Sequence, residues 1–386
     1  MPQIGVNLLW LVPGVVGGSE EYTIRLLLAM ADQKPTSLDV RLYGQPCLFE
    51  EHRQLAERFT PVVAPPLPSS KIARVGLEKT WLRLVSKDDV LVHHAGGVIA
   101  GNLRGAPVLT VHDIQPLDMP HNFSWLKRRW LKSMIPSSVK AAQLIITPSQ
   151  FTADRLVDEF GIKPEKIEVV AHGHRFDEVD PQADRSAEDR DRPYGRFMLY
   201  PAITYPHKRH IDLIDALGEL APQYHDLNIV FTGRRGPLHD HLVDHVSTLG
   251  LCGRVHFTGR VPENVLDELY RSAVATVIPS EYEGFGNPAL EAMSRRCPVV
   301  AANAGALPEV LGGAGILVPT RSPKAIADAM RTLLDSEPTA QSMGTVGHEQ
   351  ARRYSWESSG RSLLASYRRV VNQSGVAWSN DGGNHE

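Results

Sequence analysis

The stretch EYEGFGNPALEAM, residues 281–293, places two carboxylates, Glu283 and Glu291, around a glycine-rich turn that runs into an apolar helix. A packing helix has no need of a glutamate on each side of a Gly-Phe-Gly turn, so the pattern points to a polar ligand. Pro288 suits the first helical position with Asn287 as N-cap, which leaves the free N–H groups of that turn open to the ligand. Gly284 and Gly286 let the chain bend around a diphosphate. Glu291, expected in the first turn, points back toward the N-terminus, where it can accept both hydroxyl hydrogens of a ribose diol. Glu283, one loop earlier, reaches the sugar end. The plainer reading, a glycine turn with two surface glutamates, leaves the agreement of charge, hinge and proline unexplained.

Three other polar clusters fall after apolar runs. In TYPHKRH, Lys208 and Arg209 precede the helical pattern IDLIDALGEL. Cations are unfavourable at a helix N-terminus, so the pair is either a solvated basic start or a site where an anion sits between the cations and the free N–H groups. His112-Asp113 follows PVLTV; there the histidine either donates a hydrogen bond to a sugar hydroxyl or satisfies local backbone groups. The loop VPGVVGGS contains Gly17 and Gly18, which allow a close backbone approach to a ligand or simply make a tight turn. It is neither GxGxxG nor a Walker A loop. Glu20 and Glu21 already favour the dipole of the helix that follows, which argues against a tightly held phosphate there.

The elements that must hold these clusters alternate. QIGVNLLWL, PVLTV and QLIITPS are each followed by a helical pattern, and Ser149 and Gly161 suit the N-cap and C-terminal glycine of the helix over QFTADRLVDEFG. From Phe197 the rhythm restarts with RFMLYPA, LNIVFTG, RVHFTG, VATVIPS and PVVAA. Strands in such alternation form parallel sheets covered by helices, and ligands sit at the strands' carboxyl ends. The fold class is therefore α/β, with two Rossmann-like domains. The first is expected over 1–180, a charged, proline-bearing linker over 181–195, the second over 196–365, and the end of a terminal helix with a disordered tail over 366–386.

The chain has 386 residues, more than one comfortable core holds, and its 42% apolar and 22% charged residues are those of a folded globular protein. Net charge of −3 gives no sign of a nucleic-acid partner. Three scattered cysteines match neither zinc spacing nor a disulfide framework, which together with the absence of a leader pattern or spanning segment leads to a cytoplasmic expectation. No Asp-x-Asp stands where a metal is needed, so no metal and no cofactor is expected. Between Met119 and Ala153 there is no acidic residue, while Lys127, Arg128, Arg129, Lys132 and Lys140 are interspersed with Trp125, Trp130, Leu131 and Ile135. Segment 124–140 is either a packed helix with a solvated basic face or a peripheral contact with anionic lipid at the inner face of the plasma membrane.

At EGFGNPALE the sequence resembles the retaining glycosyltransferases of family 4, which have the GT-B fold, with strongest similarity from Phe197 to Leu317. The resemblance implies two domains facing a deep cleft, with the last helix returning toward the N-terminal domain. It implies that Glu291 holds the nucleotide ribose, that Glu283 lies by the donor sugar, and that main-chain groups of Phe285, Gly286 and Asn287 hold the sugar or its phosphates. Lys208 matches the diphosphate lysine, Gly17-Gly18 the N-domain loop, and His112 the histidine that contacts the sugar. Where many relatives have Gly-Arg before the lysine, this chain reads PAITYPHK, so Arg209 or Arg234 is the substitute second cation. The PHK form is similar to bacterial mannosyl- and rhamnosyltransferases. The implied activity is transfer of a hexose, with mannose from GDP-mannose favoured, from a nucleoside-diphosphate sugar to a hydroxyl of a glycan or glycolipid. The alternatives are a GT-B-type sugar-nucleotide epimerase and a non-catalytic nucleotide-sugar-binding protein.

Overall fold

The computed structural model of the chain describes residues 1–375 except 16, 35–37, 67–70, 123 and 175–193. Two compact units are present, one of residues 1–173 with 355–386 and one of residues 174–354. Most of the expected linker and all of the tail beyond residue 375 lie outside the described residues.

In the first unit seven parallel strands are ordered β3-β2-β1-β4-β5-β6-β7, where β1 is Gln3–Asn7, β2 Asp39–Gly44, β3 Thr60–Val63, β4 Leu91–His94, β5 Ala106–Thr110, β6 Leu144–Thr147 and β7 Ile167–Val169. The second unit orders six parallel strands β10-β9-β8-β11-β12-β13, with β8 Arg196–Pro201, β9 Leu227–Thr232, β10 Val255–Gly259, β11 Ala275–Ile278, β12 Val299–Ala302 and β13 Ile316–Val318. The central strands β4, β6, β11 and β12 are buried along their whole length, as their unbroken runs require when helices cover both faces.

Local signals act as their chemistry dictates. Ser149 Oγ accepts the Thr152 N–H at the start of helix Gln150–Phe160, and Gly161 closes it at φ +61°. The terminal helix, Trp356–Gln373, is capped by Ser355, whose Oγ accepts the Ser358 N–H. Its apolar stripe, Leu363, Tyr367, Val370 and Val371, joins the core that contains Ile4, Val6, Leu26 and Leu27. Gly360 lies so close to helix Gly18–Asp32 that a Cβ there would come 2.5 Å from the Ala29 carbonyl. Residues 355–365, grouped by sequence with the second domain, thus pack with the first: the apolar stripe finds its partner in the N-terminal helix.

Candidate functional site

In each sheet the connections reverse direction once, between β1 and β4 in the first unit and between β8 and β11 in the second. Ligands of open parallel sheets bind at the carboxyl end of such a switch point. In the second unit, the loop after β8 carries Lys208 and the loop after β11 carries Glu281 and Glu283. The two loops are tied together. The Glu281 N–H donates to the His207 carbonyl at 2.8 Å. The buried Tyr200 hydroxyl donates to the Lys208 carbonyl at 3.0 Å and lies 2.7 Å from Ser280 Oγ. Lys208 Nζ then meets Glu283 Oε1 at 2.6 Å, with both side chains largely buried.

A third loop pins Glu283. After β12, Gly305 adopts φ +60°, and a Cβ there would stand 2.6 Å from the Glu283 carbonyl oxygen and 2.7 Å from its nitrogen. The Ala306 N–H donates to that carbonyl at 3.0 Å. Only glycine combines this dihedral with so close an approach.

The helix after the motif is Asn287–Ser294, with Gly286 as N-cap at φ +100°. The expected cap, Asn287, is instead the first helical residue and Pro288 the second. Gly286 can take the positive φ that lets the helix begin one residue earlier, and proline is tolerated throughout the first turn. Glu291 accordingly opens the second turn rather than lying in the first. The Tyr270 hydroxyl donates to its Oε2 at 2.7 Å. Phe285 is buried against the edge of Tyr354, their ring centres 5.6 Å apart.

The electrostatic conflict at helix His210–Leu220 is met from within the chain. Lys208 ends the 3-10 turn Pro206–Lys208, and Arg209, at φ +53°, is the N-cap of the helix. The Arg209 guanidinium grips Asp212 through Nε at 2.9 Å and Nη2 at 2.5 Å and stands 4.0 Å from Glu281. Glu281 also pairs with Arg321. Arg234 is exposed on the turn after β9, where the Gly236 N–H donates to Thr204 Oγ1 at 2.7 Å and so fastens this turn to the Lys208 loop.

In the first unit, Gly17 is the N-cap of helix Gly18–Asp32 at φ +78°. The Glu20 carboxylate folds back to accept the Gly14 N–H at 2.9 Å and contacts His52 Nε2 at 3.1 Å, filling the turn with negative charge. His112 follows β5, its ring packed on Trp10 and Tyr22, and desolvation lowers its pKa to about 4. Its Nε2 lies 2.9 Å from the Ala95 carbonyl, an obligate acceptor. The neutral ring must therefore carry its proton on Nε2, which leaves Nδ1 as an acceptor. The histidine thus satisfies a local backbone group, the second of the two roles expected from sequence, and any further hydrogen bond to its ring must be donated to Nδ1.

Helix Trp125–Ala141 turns Ile135 and Val139 into the first unit's core, and Leu131 packs against them. Lys127, Arg129, Lys132 and Lys140 are exposed, and Arg129 lies over the ring of the outward-facing Trp125. Among the described residues, no helix is long and apolar enough to cross a membrane.

Residues 16–178 match the Glycosyltransferase Family 4 domain and residues 185–350 the Glycosyl transferases group 1 domain, together spanning most of the chain. The chain belongs to these glycosyltransferases. O-antigen chain mannosyltransferase B of Escherichia coli is 28% identical over 72% of this chain and 74% of its own length. D-inositol 3-phosphate glycosyltransferase of Corynebacterium glutamicum is 31% identical over 60% of this chain and 59% of its own. The chain spans 56% of the length of the Corynebacterium diphtheriae protein of the same name. Among solved structures, HepE of Anabaena in complex with UDP and glucose superposes with a TM-score of 0.73 at 20% identity, covering 96% of this chain and all of that one. WaaG, a glycosyltransferase involved in lipopolysaccharide biosynthesis, gives 0.71 at 16% identity over 94% of this chain and 99% of its own. The fold is that of the GT-B glycosyltransferases.

Of the residues singled out by sequence, Lys208 and Glu283 are in direct contact, Arg209 is turned to Asp212, and Glu291 is fastened by Tyr270. Tyr270 escaped the sequence reading because it occupies an apolar position of the amphipathic stretch ENVLDELYRS and reads as core.

Proposed function

We propose that this protein is a retaining glycosyltransferase that moves a hexose from a nucleoside-diphosphate sugar to a hydroxyl of a glycan or glycolipid, with mannose from GDP-mannose as the favoured donor. The observation that carries the reading is the Lys208–Glu283 pair at the switch point, beside the N-terminus of the helix that bears Glu291. Two relatives named mannosyltransferases support the sugar, one from Escherichia coli and one, an MMP α-(1→4)-mannosyltransferase, from Mycolicibacterium hassiacum.

On this reading a diphosphate displaces Glu283 from Lys208, and the released carboxylate turns to the sugar. Charge developing on the leaving diphosphate is met by Lys208, by Arg234 from the neighbouring loop and by the N–H groups after Gly286, in place of a metal ion. Glu291 takes the ribose hydroxyls. His112, on the first unit, offers Nδ1 as an acceptor for a substrate hydroxyl. The leaving phosphate oxygen deprotonates the acceptor on the face it departs from, which retains the anomeric configuration.

A thermal-shift panel of GDP, UDP, ADP and dTDP, alone and as sugar conjugates, tests the donor assignment. A ligand held at about 100 times its Kd adds roughly 2.7 kcal/mol. One nucleotide is expected to raise the wild-type Tm, and Glu291→Ala to lose most of that rise. A panel without effect on the wild type removes the reading's main support.

The acceptor reading extends to the exposed basic face of helix Trp125–Ala141, which fits an anionic membrane surface where a lipid-linked acceptor resides. Each exposed cation near such a surface contributes about 1 kcal/mol. Vesicles with phosphatidylglycerol are expected to sediment the protein at low salt, and the double variant Arg128→Ala, Arg129→Ala to remain largely in solution. Equal sedimentation of both proteins would rule this face out.

A further inference from the structure

Tyr270 is fully buried near the end of helix Glu263–Ser272, and its hydroxyl, like that of the buried Tyr43 on Asp89, is spent on a carboxylate. Tyr22, equally buried, donates to a backbone carbonyl, that of Val170, at 2.7 Å. Tyr270 donates instead to the side chain of Glu291, at 2.7 Å. Its ring is held as firmly. The Arg295 guanidinium lies over it, 5.3 Å from the ring centre, and Arg295 Nε is paired with Asp267. Arg295 Nη1 donates to the Glu291 carbonyl at 3.0 Å and lies 3.3 Å from His174 Nε2. Arg271 Nε holds Asp267 from the other side at 2.6 Å.

Side chain and main chain of Glu291 are thus gripped by one assembly, Tyr270 on the carboxylate and Arg295 on the carbonyl. A glutamate serving only to solvate a helix surface needs no such frame, since water satisfies it in any rotamer. A glutamate that must offer a fixed carboxylate plane to two adjacent hydroxyls does, because each lost rotamer is entropy removed before the ligand arrives.

We propose that Tyr270 is a positioning residue for Glu291, and that this hydrogen bond, braced by Arg295, lets the site distinguish ribose from deoxyribose in the nucleotide. The proposal rests on the reading that Glu291 holds the ribose, and the two separate experimentally. A site built to hydrogen-bond a hydroxyl rejects the analogue that lacks it, because its own polar groups are then left unpaired.

Isothermal titration of the full chain with GDP and UDP, each beside its 2′-deoxy counterpart, reads the discrimination directly. The wild type is expected to favour one ribonucleotide over its deoxy form by about tenfold or more. Tyr270→Phe retains the ring under Arg295 and removes one oxygen. It is expected to weaken the ribonucleotide about tenfold and the deoxynucleotide by less than twofold, bringing the ratio near one. In transfer assays the change falls on KM, with kcat nearly kept. A tyrosine that merely supports the fold would weaken both nucleotides alike, and that outcome overturns the proposal. If Tyr270→Phe keeps the full ratio while Glu291→Gln abolishes it, the ribose reading stands and the role of Tyr270 is overturned. If the wild type shows no preference in either pair, both fall. Arg295→Lys, which keeps a cation at the ring and loses the fork toward Asp267 and the Glu291 carbonyl, repeats the test with a smaller expected loss of ratio should Tyr270→Phe not fold.

Discussion

Replacing Lys208 with alanine is expected to lower transfer from the donor sugar by about 100- to 1000-fold, the range seen when a single preorganised group facing developing negative charge is removed. The geometry explains why no neighbour rescues it. Arg209, next in sequence, is turned away by its left-handed backbone and held in a fork by Asp212. Arg321 is committed to Glu281. Arg234 stands exposed on the turn that the Gly236–Thr204 hydrogen bond fastens to the Lys208 loop, and on the proposed reading it already serves the diphosphate. Lys208→Arg should recover only part of the loss, because Tyr200 and the Pro206–Lys208 turn fix the backbone for a side chain whose charge ends at a single nitrogen. Wild-type turnover is expected to persist in EDTA. The alanine variant also leaves Glu283 largely buried without its cation. Since neither side chain of the pair is wholly buried, the stability cost falls between the surface and buried limits, about 1–3 kcal/mol in urea denaturation. An alanine variant that stays folded and keeps wild-type turnover would place the diphosphate elsewhere.

The fold was readable wherever a single stretch of chain carried its own instruction. RFMLYP, ATVI and VVAA are apolar enough to be central strands and nothing else, and Ser149 and Gly161 mark the ends of their helix in the residues themselves. The strand LVHH is different. Its two histidines disguise it, and His93 is tolerated in the core only because Tyr367 and Thr110, distant in sequence, each hydrogen-bond one of its ring nitrogens at 2.7 Å. The terminal helix displays its apolar stripe in the sequence, but a stripe does not say what it will cover, and the glycine that admits it against Ala29 carries no address either.

The site divides in the same way. Two glutamates around a glycine turn and a lysine at a helix start were legible as chemistry, since each contradicts what packing alone would choose. The partners of those charges were not. Asp212 stands three residues after Arg209 and was within reach of a closer reading, whereas Glu283 lies far along the chain from Lys208 and meets it only because β8 and β11 are neighbours in the sheet. The polarity of His112 depends on a carbonyl, that of Ala95, which no side-chain pattern can announce.

Glu283→Gln is expected to move two measurements in opposite directions. Glu283 pairs with Lys208 at 2.6 Å, so on the proposed reading a diphosphate that binds Lys208 must break this charge-assisted hydrogen bond before it gains one. Glutamine keeps the volume and removes the charge. A hydrogen bond to a charged group is worth about 1.5–3 kcal/mol, and a neutral amide retains part of it. Affinity for inorganic pyrophosphate should therefore rise about tenfold, most clearly at low salt, where the charges are least screened. Transfer should fall by about 10- to 100-fold, because the carboxylate released from Lys208 is the group assigned to the sugar, and a neutral amide neither accepts from its hydroxyls as strongly nor stabilises positive charge at the anomeric carbon. A merely structural glutamate would give a different pair of results: binding and transfer would both decline as the three loops around Gly305 loosened. Opposite signs are the result expected of a carboxylate that both restrains Lys208 and serves the sugar.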